Sequence, residues 1–177
     1  MALTAGQRRR VAWLIDGHLA DDYDEATFET RWEREFAALS SPEELFLYAS
    51  ESHPDQDPDE WRRVLDHRLC DQGTALLVFW RNAPVYFYGN EPAGGWGVNR
   101  GRYELVREIA ERCRTGGYPS AVVRFDPAAF KGASFLAGHS PPALERVPAH
   151  MRVPSPGEPV PPLSGPDFDW GEGFGGP

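Results

Sequence analysis

Lysine is almost missing from this chain: Lys131 stands alone beside seventeen arginines. With abundant alanine, glycine and proline, that bias points to a GC-rich bacterial coding sequence. Cysteine is nearly as scarce. Cys70 and Cys113 are too few for a disulfide framework, and each sits in or beside an apolar helix, where a free thiol behaves as a small hydrophobe. Long apolar runs are absent too. The densest, at 75–80, is far short of the roughly 20 residues that span a bilayer. The triplet Arg8-Arg9-Arg10 leads only into a short amphipathic stretch broken by Asp16 and His18, which is not the pattern of a secretory signal. No membrane is expected as a partner, and a cytoplasmic location is.

Positive charge is in deficit where it would matter for nucleic acid. The net charge is −9, and residues 1–60 hold 15 acidic groups against 5 basic ones. An acidic half repels a phosphate backbone, so nucleic acid is not expected as a partner.

Catalytic grammar is missing as well. His53, His67, Cys70 and Asp71 contain a permissible His-x-x-Cys spacing, but a structural zinc site wants four committed ligands, usually with paired cysteines. Cys70 with His67 or His53 as base would lack a nameable oxyanion hole and an orienting third residue. Asp55, Asp57 and Asp59 alternate like ligands of a calcium loop, without the glycine and terminal glutamate that such a loop requires. No catalytic residue, metal or cofactor is assigned, and the reading leans away from an enzyme.

What the chain has is helix. Val11, Leu14, Ile15 and Leu19 recur at helical spacing, as do Phe28, Trp32, Phe36 and Leu39. Ser41-Pro42-Glu43-Glu44 is a capping box with proline at the first helical position, and Asp57-Pro58-Asp59-Glu60 repeats that grammar. Cys70-Asp71-Gln72-Gly73-Thr74 then opens an almost wholly apolar segment reaching Trp80. Asp71 is placed to cap it, Gly73 permits close approach of a neighbouring backbone, and the lack of any polar face predicts a central helix buried on all sides. A last helix is expected over about 102–114, stopped by Gly116-Gly117. The runs 85–88 and 121–125 read as short strands that could pair. Ten of the seventeen prolines lie between Pro141 and Pro177, predicting a disordered tail. The expected object is thus mainly α: a compact multi-helix domain over residues 5–130 with a minor two-stranded β element, followed by a disordered Pro/Gly-rich tail over 131–177.

The block from Cys70 to Trp80, with Tyr103-Glu104-Leu105-Val106-Arg107-Glu108-Ile109, Gly116-Gly117-Tyr118 and Phe125-Asp126-Pro127, resembles the bacterial domain-of-unknown-function family 4274 over roughly residues 43–127. Cys70, Asp71, Gly73, Thr74 and Trp80 carry the most specific part. The resemblance implies a compact helical module and brings no established activity.

Function then rests on surface chemistry. Asp21, Asp22, Asp24 and Glu25, reinforced by Glu29 and Glu33, form an acidic strip suited to a basic protein surface. Trp32, Trp96 and Trp170 are the candidate apolar anchors. The resulting expectation is a non-catalytic protein-interaction module, specifically an immunity-type protein neutralising a bacterial toxin through an acidic helical face. Two alternatives are an enzyme or small-ligand binder with a pocket lined by Trp80, Tyr86, Tyr88 and Tyr103, and an adaptor whose acidic-aromatic tail around Trp170 docks a partner.

Overall fold

The apolar segment becomes the central helix of the molecule. In the computed structural model, which describes residues 2–17, 24–53, 56–90, 95–118, 120–130 and 141–168, the chain is mainly helical. Its helices are α1 (Ala5–Asp16), α2 (Glu25–Ala37), α3 (Pro42–Glu51), α4 (Pro58–Asp66), α5 (Gln72–Arg81), α6 (Pro84–Gly89), α7 (Arg100–Arg114) and α8 (Pro141–Glu145). Every residue of 73–80 in α5 is buried. α3, α4, α6 and α7 pack against α5, α1 lies on α3, and α2 lies on α1.

Local chemistry explains the boundaries. The Ser41 hydroxyl accepts from Glu44 N at 3.3 Å, and the Glu44 carboxylate accepts from Ser41 N at 3.1 Å, closing the capping box. Glu44 is fully buried and also accepts from Ser40 N, the Ser40 hydroxyl and Gln7 while pairing with Arg10 at 3.1 Å. A buried carboxylate is tolerable only when its lone pairs are filled in this way, and the set ties α1 to the start of α3. Asp71 does the same at the start of α5. One oxygen accepts from Thr74 N at 2.9 Å, and the other accepts from Val123 N at 2.8 Å. Gly73 lets the passing chain come so near that a Cβ there would stand 2.2 Å from the Val123 carbonyl oxygen.

The expected two-stranded element is not formed. Residues 85–88 lie in α6, entered through Ala83 in the left-handed region (φ 52°) with Pro84 in its first turn. Proline presets the helical φ, and one helical turn buries Val85 and Phe87 while releasing Tyr86. Residues 121–125 are extended, but their partner is the proline-rich segment. Val123 and Glu158 form an isolated parallel bridge, Arg124 N donates to the Glu158 carbonyl at 2.9 Å, and Glu158 N donates to that of Val122 at 3.0 Å. No ladder strand occurs among the described residues.

The expected boundary at 130 also shifts. Residues 141–168 belong to the same core: Val147 and Met151 are fully buried, and the Met151 carbonyl accepts the Trp80 indole N–H at 2.8 Å. The Ser155 hydroxyl donates to the Val123 carbonyl at 2.9 Å and accepts from Phe125 N at 2.7 Å. The proline-rich chain builds only short helical turns of its own, and it docks where preformed helices supply apolar sockets and backbone partners. Residues 131–140 and 169–177 of the expected tail lie outside the described residues.

Candidate functional site

The α2 helix crosses the end of α1 through aromatic contacts. Its Trp32 indole N–H donates to the Leu14 carbonyl at 3.0 Å, and Phe28 lies 5.6 Å from Trp13. One turn on, Phe36 stacks on Trp32 at 4.9 Å with an 11° interplanar angle, and Tyr48 from α3 meets both rings edge-on. The spacing Phe28, Trp32, Phe36 therefore turns a single helix face into an aromatic wall.

That wall forms one side of a groove of about 610 Å³ between α1, α2, α3 and α4. Leu14, Ile15, Phe28, Trp32 and Tyr48 supply its apolar surface, and Glu29, Glu33, Glu60 and Arg63 its charged rim. Arg63 reaches over from α4, pairs with Glu33 and holds its guanidinium 4.7 Å from the Trp32 ring centroid. Burial pushes the Tyr48 hydroxyl up in pKa, opposed by hydrogen bonds with the Gln56 and Ser52 side chains, so it stays a neutral phenol. Gln56 Oε1 is buried and accepts no hydrogen bond among the described residues. An acidic rim over a mainly aromatic floor, with an unfilled acceptor beside it, is chemistry for holding a cation attached to an apolar body.

Among the expected partner-binding residues, Asp24, Glu25 and Trp32 are all placed by α2. Asp24 caps it, accepting from Thr27 N at 3.0 Å, and that bond lowers its pKa. Glu25 is exposed in the first turn. Asp21, Asp22 and Trp170 lie outside the described residues. Trp96 is elsewhere, folded back on a separate aromatic cluster: it stacks on Tyr103 at 5.1 Å and meets Phe87 and Tyr86 edge-on at 5.0 and 5.7 Å. Trp80, Tyr86, Tyr88 and Tyr103 have different neighbours among the described residues. Trp80 is buried beneath Met151, Tyr88 lies 5.5 Å from the Arg107 guanidinium, and Tyr86 and Tyr103 flank Trp96.

Cys70, Asp71, Gly73, Thr74 and Trp80 are all buried; Asp71 and Trp80 bond α5 to Val123 and Met151, and Gly73 lets the chain at Val123 come close. Cys70 precedes the cap instead of occupying the first turn, and burial, reinforced by Asp71, pushes its thiol far up in pKa. His67 accepts from Leu69 N at 3.2 Å and packs edge-on to Phe36, so its ring is engaged on the α2 side. Among the described residues no group of three or more His, Cys, Asp or Glu is placed to hold a metal ion, and no helix is long and apolar enough to cross a membrane.

Sequence reasoning missed Tyr48, Gln56, Glu60 and Arg63 as part of this site. Glu29, Trp32 and Glu33 are legible as one face of α2 from their spacing, but nothing local to α4 announces that Arg63 will lie on Trp32.

No family model matches the chain, nor does any curated protein or solved structure.

Proposed function

We propose that this protein is a non-catalytic protein-binding module whose α1–α4 groove receives a basic, apolar segment of a partner. The observation that carries this reading is the groove itself: three carboxylates, Glu29, Glu33 and Glu60, stand round an aromatic floor built on Trp32 and Tyr48. Opposite charge steers the encounter, while desolvation of the aromatic floor supplies the lasting contact. The acidic N-terminal half and the lack of an assignable catalytic set favour a narrower version. The partner would be a toxin, and the protein an immunity-type neutraliser whose acidic helices cover a basic active cleft.

The test is affinity capture from native-host lysate with the full chain, followed by titration of the purified partner at low and high salt against wild type and Trp32→Ala. A basic partner whose affinity falls with salt, and falls at least about tenfold in the variant, supports the reading. Affinity indifferent to both salt and Trp32 would overturn it.

A further inference from the structure

We infer that Arg63 is an internal stand-in for the partner, and that an arginine side chain of a protein partner takes its place on Trp32 and Glu33. The inference rests on the groove being the binding site. A guanidinium is recognised best by an aromatic face that accepts its flat cation together with a carboxylate that accepts its N–H fork. The groove already contains both, and a guanidinium is on them: Arg63 lies 4.7 Å from the Trp32 centroid and is paired with Glu33.

Three observations make this occupant exchangeable. First, the Arg63 and Glu33 side chains are 42% and 62% exposed, so parting them strands no buried charge. Second, Glu60 lies three residues before Arg63 on α4, lines the same groove, and pairs with no cation among the described residues. At that spacing a displaced Arg63 finds a new carboxylate one turn back on its own helix. Third, Gln56 Oε1 is a buried acceptor without a donor among the described residues, available to an incoming N–H. Glu29 also pairs with no cation among the described residues, and the lining holds three carboxylates against one guanidinium, so a second cation is electrostatically welcome.

The experiment is an NMR titration of the full chain with N-acetyl-arginine methylamide, its neutral citrulline counterpart and N-acetyl-Leu-Arg-Leu-amide, watching the Trp32 indole N–H and the Arg63 Nε–H. The arginine probes shift both resonances and citrulline shifts neither. Arg63→Gln, which vacates the site, tightens the arginine probe about fivefold. Arg63→Lys, which keeps the charge but loses the planar fork, tightens it less and serves if the glutamine variant does not fold. The tripeptide binds at least about tenfold more tightly than the single residue, because its leucines reach the Leu14 and Ile15 side of the groove.

Equal responses to arginine and citrulline would overturn the inference, as would unchanged or weaker binding in both Arg63 variants. Equal affinity for tripeptide and single residue would also overturn it, making this a site for free guanidinium compounds. If Trp32→Ala weakens a captured partner while Arg63→Gln leaves its affinity unchanged, the groove reading stands and the exchange falls.

Discussion

Arg8 in α1 and Asp167 meet in a two-pronged ion pair, Nε to Oδ1 at 3.0 Å and Nη2 to Oδ2 at 2.8 Å, across 159 residues of sequence. The guanidinium also donates to the carbonyls of Pro161 and Pro162, and Ser164 donates its N–H and hydroxyl to the same carboxylate. One arginine thus fastens the proline-rich segment to the first helix.

This pair has a pH signature. The hydrogen bond from Arg8, helped by Ser164, holds the Asp167 carboxyl down at about 2, whereas an unfolded aspartate titrates near 3.9. Because the folded value is the lower, the pair stabilises fully above about pH 5, and its contribution is lost as pH falls from about 4 to about 2. Solvent screening keeps that contribution on the order of 1 kcal/mol. Urea midpoints of wild type and Asp167→Asn are expected to differ at pH 7 and to converge toward pH 2. A gap that stays constant with pH would show that the carboxylate charge is not what matters.

Asp71 makes a sharper case, because both of its oxygens face N–H donors, those of Thr74 and Val123. Asparagine is nearly isosteric but offers one oxygen and one NH2, so Asp71→Asn must set a donor against a donor inside a dry site. We expect a loss of about 2–3 kcal/mol, close to that of Asp71→Ala, because either change leaves a buried N–H unsatisfied. Chemical denaturation reads this directly. An asparagine variant as stable as wild type would mean that only the cap to Thr74 carries weight.

Gly73→Ala tests the same junction by volume. The added methyl would stand 2.2 Å from the Val123 carbonyl oxygen and 2.9 Å from its carbon, both backbone atoms, so no side-chain rotation relieves it. Either the extended segment moves, breaking the Asp71 and Ser155 bonds, or α5 shifts; the expected cost is about 3 kcal/mol. The same substitution at Gly6, whose nearest neighbour is the Thr4 hydroxyl at 4.0 Å, is expected to be neutral or slightly stabilising. Thermal melts of the two variants side by side separate close approach from helix propensity.

These three sites show how far the sequence carried. Caps at Ser41, Asp57 and Asp71 and the wholly apolar α5 were legible because each is a local pattern with a local cause, and all of them form helix starts or buried helix here. Residues 85–88 misled because aromatic and β-branched side chains suit a strand or a single buried helical turn equally, and what decides is the reversal at Ala83 together with the claim of residues 155–158 on 121–125. The order in 141–168 was invisible to composition, since it is imposed by Arg8, Trp80 and Val123 from outside the segment. The groove was half legible: the α2 face with Glu29, Trp32 and Glu33 follows from spacing, whereas Tyr48, Glu60 and Arg63 arrive by packing.

The cysteines offer a check on burial that needs no mutation. Burial raises Cys113 to about 11 and Cys70 further still, so little of either is thiolate at neutral pH. Cys113 is only partly covered, whereas Cys70 is closed in. Native protein is expected to label slowly at Cys113 and not at Cys70 until denaturant opens the core, as peptide mass mapping will read. Fast labelling of Cys70 would instead revive it as a reactive thiol.

Met151 decides whether the proline-rich segment is structural. Its side chain is fully buried among the core residues, and its carbonyl accepts the Trp80 indole N–H, so the segment meets the centre of the molecule through an apolar contact and a polar one at a single residue. Met151→Ala removes the apolar contact but leaves the carbonyl in place, with an expected cost of about 2–4 kcal/mol. Deleting everything after residue 140 removes both, strips Val147 from the core, and leaves Val123 and Phe125 without the bonds from Ser155. The truncated chain should therefore lose its cooperative transition in urea and expose Trp80 to quenching by acrylamide. Full cooperativity after that deletion would return 141–168 to the status of a separable tail, and would make the helices alone the binding module.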